Sequence, residues 1–141
     1  YTQFTKPEQY TLMTLWGIFR SPLMFGGHMP NNDEFTLSLL TNSDYMDMHK
    51  NCYNSKQVYR KEKDKKGTIV WCASGKKCKY IAIFNTDDKE RKIKFDLTDV
   101  LMPDAKYNAY DIWEKADLGT VKNKITATVA PHGAKLFKLY P

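Results

Sequence analysis

The first candidates for chemistry are three histidines. His28 follows Gly26-Gly27 at the expected C-terminal end of a short apolar strand. In parallel α/β sheets and barrels that is the end where active sites lie. His28 is therefore the candidate substrate-binding residue, beside its plainer reading as a polar loop residue. His49 is expected at a helix end and His132 in the turn Pro131-His132-Gly133. None neighbours a serine or cysteine in a nucleophile setting. The carboxylates are numerous but poorly placed for acid/base work. Asp33, Glu34, Asp44 and Asp47 fall near expected helix starts, where the helix dipole stabilises each by about 0.3–1 kcal/mol. Asp87, Asp88, Asp96, Asp99, Asp104, Asp111 and Asp117 fall in or beside expected β turns. No catalytic residue is assigned. Gly26-Gly27 lacks the Lys-Ser/Thr of a phosphate loop and the spacing of a dinucleotide fingerprint, so no cofactor is expected.

The three cysteines, Cys52, Cys72 and Cys78, are an odd number and no disulfide framework. Cys72 and Cys78 could face each other across a hairpin and pair in an oxidising compartment; free, partly buried thiols are the simpler expectation. No second close Cys/His pair completes a zinc set, so no metal is expected. Trp71, Trp113 and Tyr110 could offer faces to sugar rings, as in a carbohydrate-binding sandwich. In a sandwich core such residues also serve as packing.

The elements that must position these residues change character along the chain. Thr5-Lys6-Pro7-Glu8 is a capping box, and Pro7 fits a first turn whose N–H has no helical partner. It predicts a helix over Lys6–Phe19 that is apolar nearly all round, hence buried on several sides. Ser21-Pro22 ends it, and Leu23-Met24-Phe25 reads as a strand covered on both faces. A helix over Asn31–Thr41 follows, then a short helical run from Ser43 to about His49. From Gln57 the period becomes two. Strands are expected at Gln57–Lys63, Thr68–Ser74, Lys79–Asn85, Lys92–Leu97, Ala105–Asp111, Asn123–Ala130 and Ala134–Leu139. Turn signals stand between them, including Ser74-Gly75 and Leu118-Gly119. Such spacing indicates an antiparallel sandwich or barrel. The boundary falls near Cys52–Lys56, giving units 1–52 and 53–141.

Of the 141 residues, 42% are hydrophobic, enough for a packed core, and the nine tyrosines suit a β-rich one. No apolar run approaches the ~18 residues of a membrane span. The net charge is +6, and the densest basic cluster, Arg60–Lys66, contains Glu62 and Asp64 and precedes Gly67. It reads as a solvated hairpin turn. No helix-turn-helix, zinc-finger or RNA-binding signature accompanies it, so no nucleic-acid partner is expected. The chain opens on Tyr1, almost inside an α/β unit without a beginning, and the expectation is a piece cut from something larger.

Two stretches carry a resemblance. Trp16, Ser21-Pro22-Leu23-Met24, Gly26-Gly27 and Leu40-Thr41-Asn42 are similar to the end of the catalytic barrel of glycoside hydrolase family 27, the α-galactosidase and α-N-acetylgalactosaminidase family. Asp111-Ile112-Trp113, Asp117-Leu118-Gly119 and Ala130-Pro131-His132-Gly133-Ala134, with Leu136 and Leu139, resemble its closing pattern. His28 stands where the family often has an acidic residue, and Tyr45–Lys50 replaces a more usual V-I-A-x-N-Q run. The resemblance implies a mainly β chain: an antiparallel β-sandwich preceded by the last helix-strand-helix of a truncated (β/α)8 barrel. It also implies a retaining mechanism with two aspartates, whose carboxyls must stand about 5 Å apart. Both come from earlier barrel strands, so the piece alone is expected to be inactive. Carbohydrate would be the partner, through the missing barrel, and the parent would be exported. Leu12, Met13, Leu15, Trp16, Leu23 and Phe25 would pack on the sandwich or against another copy, so self-association is an expectation.

Overall fold

The computed structural model describes residues 7–8, 10–11, 13–14, 42–63, 66–75, 77–97 and 106–141. The expected strand Leu23–Phe25, the helix Asn31–Thr41, Gly26-Gly27 and His28 lie outside the described residues. Of the first expected helix, Pro7, Glu8, Tyr10, Thr11, Met13 and Thr14 are described and helical.

Among the described residues a helix, α1 (Ser43–Asn51), leads into eight strands. These are β1 (Tyr53–Lys63), β2 (Lys66–Gly75), β3 (Cys78–Asn85), β4 (Arg91–Asp96), β5 (Lys106–Asp111), β6 (Ala116–Lys122), β7 (Lys124–Val129) and β8 (Ala134–Tyr140). All pairings are antiparallel. One sheet has the order β1-β2-β3-β8-β5-β6; the second is β4-β7. The chain is thus a mainly antiparallel β-sandwich, as its period-two pattern requires.

Two cores result from the alternation of side chains across each strand. Between the sheets, Val70, Cys72, Ile81, Ile83, Phe137 and Leu139 meet Ile93, Phe95, Ile125 and Val129. On the other face of the large sheet, Tyr80, Ala82, Phe84 and Leu136 meet Met13, Tyr45, Met48 and Cys52. β3 and β8 are interior strands with apolar cover on both faces. This explains why Tyr80–Phe84 is an unbroken buried run and not an alternating one.

Asn85 locks the sandwich. Its side chain is buried, and its Nδ2 donates to the carbonyls of Lys89 (2.8 Å), Val129 (3.0 Å) and Ala130 (3.2 Å). Its Oδ1 accepts from the Asp87 N–H at 3.0 Å, and its own N–H donates to Gly133 O. One amide thereby ties the end of β3 to the turn before β4 and to the end of β7 in the other sheet.

Two expectations are corrected. Leu118-Gly119 is not a turn; it lies inside β6. That strand is exposed almost throughout, so it has no apolar alternation to reveal it. Gly119 adopts φ 82°, a conformation that favours glycine, beside a register shift in the β5–β6 ladder. Ser74-Gly75 is likewise strand, and a Cβ on Gly75 would stand 2.5 Å from Tyr80 Cε2. The simpler expectation for the cysteines holds: Cys72 and Cys78 do not pair, and all three thiols are free. The register sets Gly75 against Cys78, three residues from Cys72, and an odd offset puts the two thiols on opposite faces of the sheet.

Candidate functional site

The residues with chemical potential fall at the junction between the N-terminal helical residues, α1 and the large sheet. Asn42 caps α1: its Oδ1 accepts from Tyr45 N–H at 3.0 Å, which satisfies one orphan donor of the first turn. The Nδ2 of the same side chain donates to Ile112 O at 2.7 Å, so the cap also fixes α1 to the segment after β5. The helix starts at Ser43, as the sequence indicates, and runs to Asn51, two residues past the expected end near His49. The buried Tyr45 hydroxyl donates to Met13 O at 2.6 Å. Trp113 Nε1 donates to the fully buried Thr14 hydroxyl at 2.7 Å. The Trp113 ring packs on Tyr45 and Tyr10, with centroids at 4.8 and 5.6 Å.

These contacts bear on the aromatic residues. Trp113 is 8% exposed and spends its N–H on Thr14, so it offers no face to a sugar. Trp71 and Tyr110 are partly buried against the same cluster. The three aromatics are packing residues of the junction.

Burial pushes the Tyr45 hydroxyl well above the ordinary tyrosine value, with Cys52 nearby adding to the shift; burial likewise raises Tyr80, helped by its hydrogen bond to Cys78. A raised folded-state value means that the fold favours the neutral phenol. The stability this contributes is fully present below pH ~10 and is lost as pH rises toward the folded-state value. Tyr45→Phe is therefore expected to cost about 1 kcal/mol at neutral pH and to flatten the alkaline fall in Tm. Thermal melts across the alkaline range check this; curves that stay parallel would contradict it.

Two described carboxylates, Asp111 and Glu114, approach one lysine. Asp111 is 4% exposed. Its Oδ1 accepts from Glu114 N–H at 3.1 Å, and its Oδ2 lies 3.5 Å from Lys135 Nζ. Glu114 Oε1 stands 3.8 Å from the same ammonium. One lysine faces both carboxylates. Glu114 and Lys135 border a cleft of about 220 Å3 with Tyr10, Trp113 and Glu90. His132 closes its turn at φ 55°, with Nε2 2.7 Å from Asp88 Oδ1; both side chains are exposed. The side chain of His49 is outside what is described. Among the described residues, no three His, Cys, Asp or Glu side chains gather as a metal site, and no helix is long and apolar enough to cross a membrane.

Sequence reasoning did not find Asn85 or the Asn42–Ile112 contact. The available signal was polarity alone: a single asparagine closing an apolar run, and another preceding a helix.

The geometry defines a class first: an antiparallel β-sandwich with a helical junction on its larger sheet. The model of the alpha galactosidase C-terminal beta sandwich domain matches residues 65–139. The chain belongs to that family, the C-terminal β-sandwich of glycoside hydrolase family 27. Alpha-galactosidase D of Emericella nidulans is 28% identical over 136 residues, covering 96% of this chain and 20% of that protein. Among solved structures, a GH27 β-L-arabinopyranosidase from Geobacillus stearothermophilus is 44% identical, with TM-score 0.89, covering 99% of this chain and 31% of that one. Alpha-galactosidase I from Mortierella vinacea, 19% identical with TM-score 0.85, shares the fold over 98% of this chain and 36% of its own. The chain spans about a fifth of the length of the curated relative and a third of these structures.

Proposed function

We propose that the chain is the C-terminal structural part of a retaining glycosidase that hydrolyses terminal α-galactosyl-type linkages. Residues 1–52 form the end of its catalytic barrel and residues 53–141 its sandwich. Both catalytic aspartates belong to the barrel upstream, and the sandwich serves as a rigid cover on the barrel's last helices. The observation that carries this reading is the pairing of family membership with a junction whose polar groups are spent on structure: Asn42, Tyr45 and Trp113 all hydrogen-bond across it.

A second substrate is favoured by one observation, the 44% identity to a β-L-arabinopyranosidase. A β-L-arabinopyranoside has the ring-hydroxyl arrangement of an α-D-galactopyranoside and lacks only the exocyclic hydroxymethyl group. The two substrates therefore ask the same mechanism of the enzyme and differ by one pocket. The test is kcat/KM of the full-length enzyme on the two aryl glycosides, with the anomer of the first product followed by NMR. A larger value on the galactoside, with retention, supports the first reading. A larger value on the arabinopyranoside replaces the substrate but keeps the mechanism. Inversion would overturn the proposal, because a retaining pair of carboxyls cannot give it.

A further inference from the structure

A second cleft, of about 370 Å3, opens at the edge of the sandwich between the β1–β2 hairpin and β4. Four cations line it, Lys61, Arg91, Lys92 and Lys94, and no carboxylate does so among the described residues. Asp87 already holds Arg91, through a bond from Nε at 2.9 Å and one from Nη2. That pair also holds the Asp87 carboxyl below the usual range. Lys61, Lys92 and Lys94 have no ion-pair partner among the described residues. Three like charges around one cleft repel each other, and no described carboxylate compensates them, which is the condition for attracting an anion.

The cleft is also shaped. The register of β1 shifts between Gln57 and Tyr59, and the bulge turns two consecutive residues toward the second sheet. Val58 packs on the inter-sheet core, and Tyr59 sets its ring edge-on to Phe95, with centroids 6.1 Å apart. Tyr59 nonetheless stays 40% exposed and lines the cleft. Among the described residues β4 pairs with β7 alone, and no described strand takes the backbone donors and acceptors of its other edge. Lys92 and Lys94 stand two residues apart on that strand, roughly 7 Å, the scale of one sugar unit.

We propose that this cleft binds an acidic, uronate-bearing polysaccharide: the lysines meet the carboxylates, Tyr59 stacks on a sugar ring, and the free edge of β4 meets hydroxyls. The choice of carbohydrate over nucleic acid rests on the glycosidase reading above; the cationic, aromatic-lined groove does not. Such binding would hold the enzyme on a charged cell-wall or mucilage-type polymer while the barrel removes neutral side sugars.

The test uses the full-length enzyme and trigalacturonate as probe, read by calorimetry, beside a neutral galactotriose and an oligothymidylate. Saturable binding of trigalacturonate that weakens with salt is expected, with no binding of the neutral trisaccharide. Lys92→Gln/Lys94→Gln and, separately, Tyr59→Ala are each expected to weaken it about tenfold, a loss of two modest contacts. Lys106→Gln/Lys124→Gln removes the same charge outside the cleft and is expected to leave binding within about twofold. No binding, equal loss in both lysine pairs, or oligothymidylate bound as tightly through the same lysines would each overturn the proposal. Turnover of aryl glycoside in the same preparation separates this failure from failure of the glycosidase reading, since none of these residues lies in the barrel.

Discussion

Asn85→Asp is expected to be the most damaging single-atom change in the chain. It exchanges an NH2 for an oxygen, at unchanged shape, in a site that is 1% exposed. The amide now donates toward three carbonyl oxygens, those of Lys89, Val129 and Ala130. A carboxylate there would face the same three oxygens without a proton and without water. Leaving a buried charge unpaired costs about 3–5 kcal/mol, a large part of the roughly 5–15 kcal/mol that holds a domain together. Asn85→Ala removes the bonds without adding charge and is expected to cost about 2–4 kcal/mol. Melting of both variants at neutral pH should show the aspartate variant lower, by up to the order of 10–20 °C below the parent. Acidification should partly rescue the aspartate variant alone, because a protonated carboxyl regains one donor. Melting points for both that match the parent would show that the two sheets are held together without this amide.

The second large effect is expected at Trp113. Trp113→Ala removes a ring that is 8% exposed and lies between Tyr10 and Tyr45, and it orphans the hydroxyl of Thr14, which is fully buried. Truncating a buried Trp costs about 3–5 kcal/mol. Trp113→Phe keeps most of the apolar contact and loses the hydrogen bond, so it isolates the polar share at about 1–3 kcal/mol. Denaturant melts give both values. Amide exchange of α1 and residues 7–14 locates the damage, since the account places it at the junction and not in the β4–β7 sheet. Faster exchange in β4 and β7, with α1 unchanged, would contradict that placement.

These two residues also show what sequence could and could not disclose. The strands of the sandwich were legible wherever one face is buried and the other wet, as in Ile93/Phe95 and Ile125/Ala127 with their exposed neighbours. β3 was legible from its unbroken apolar run. β6 was not, because its side chains are exposed on nearly every position and its stability comes from the ladder to β5. Asp117 and Gly119 there carry the local chemistry of a turn, and the pairing overrides it. The Cys72–Cys78 question was one of register: spacing permits a bridge, and a three-residue offset across the hairpin forbids it. Asn85 and Trp113 owe their roles to partners 44 and 99 residues away in the chain. No local pattern contains those partners. The cationic cleft was hidden for the same reason, since Lys61 and Lys92/Lys94 meet only when β4 folds beneath the β1–β2 hairpin. In sequence they read as separate solvated turns and edges.

The central claim is that this chain supports a glycosidase whose chemistry is carried by residues upstream of it. The measurement that tests it most directly is hydrolysis of an aryl α-galactoside and an aryl β-L-arabinopyranoside by the 141-residue chain, beside the same chain extended upstream through the barrel. The account predicts turnover by the extended chain alone. Turnover by the 141 residues themselves would contradict it, and would mean that carboxylates such as Asp111 and Glu114, assigned here to Lys135, perform the reaction.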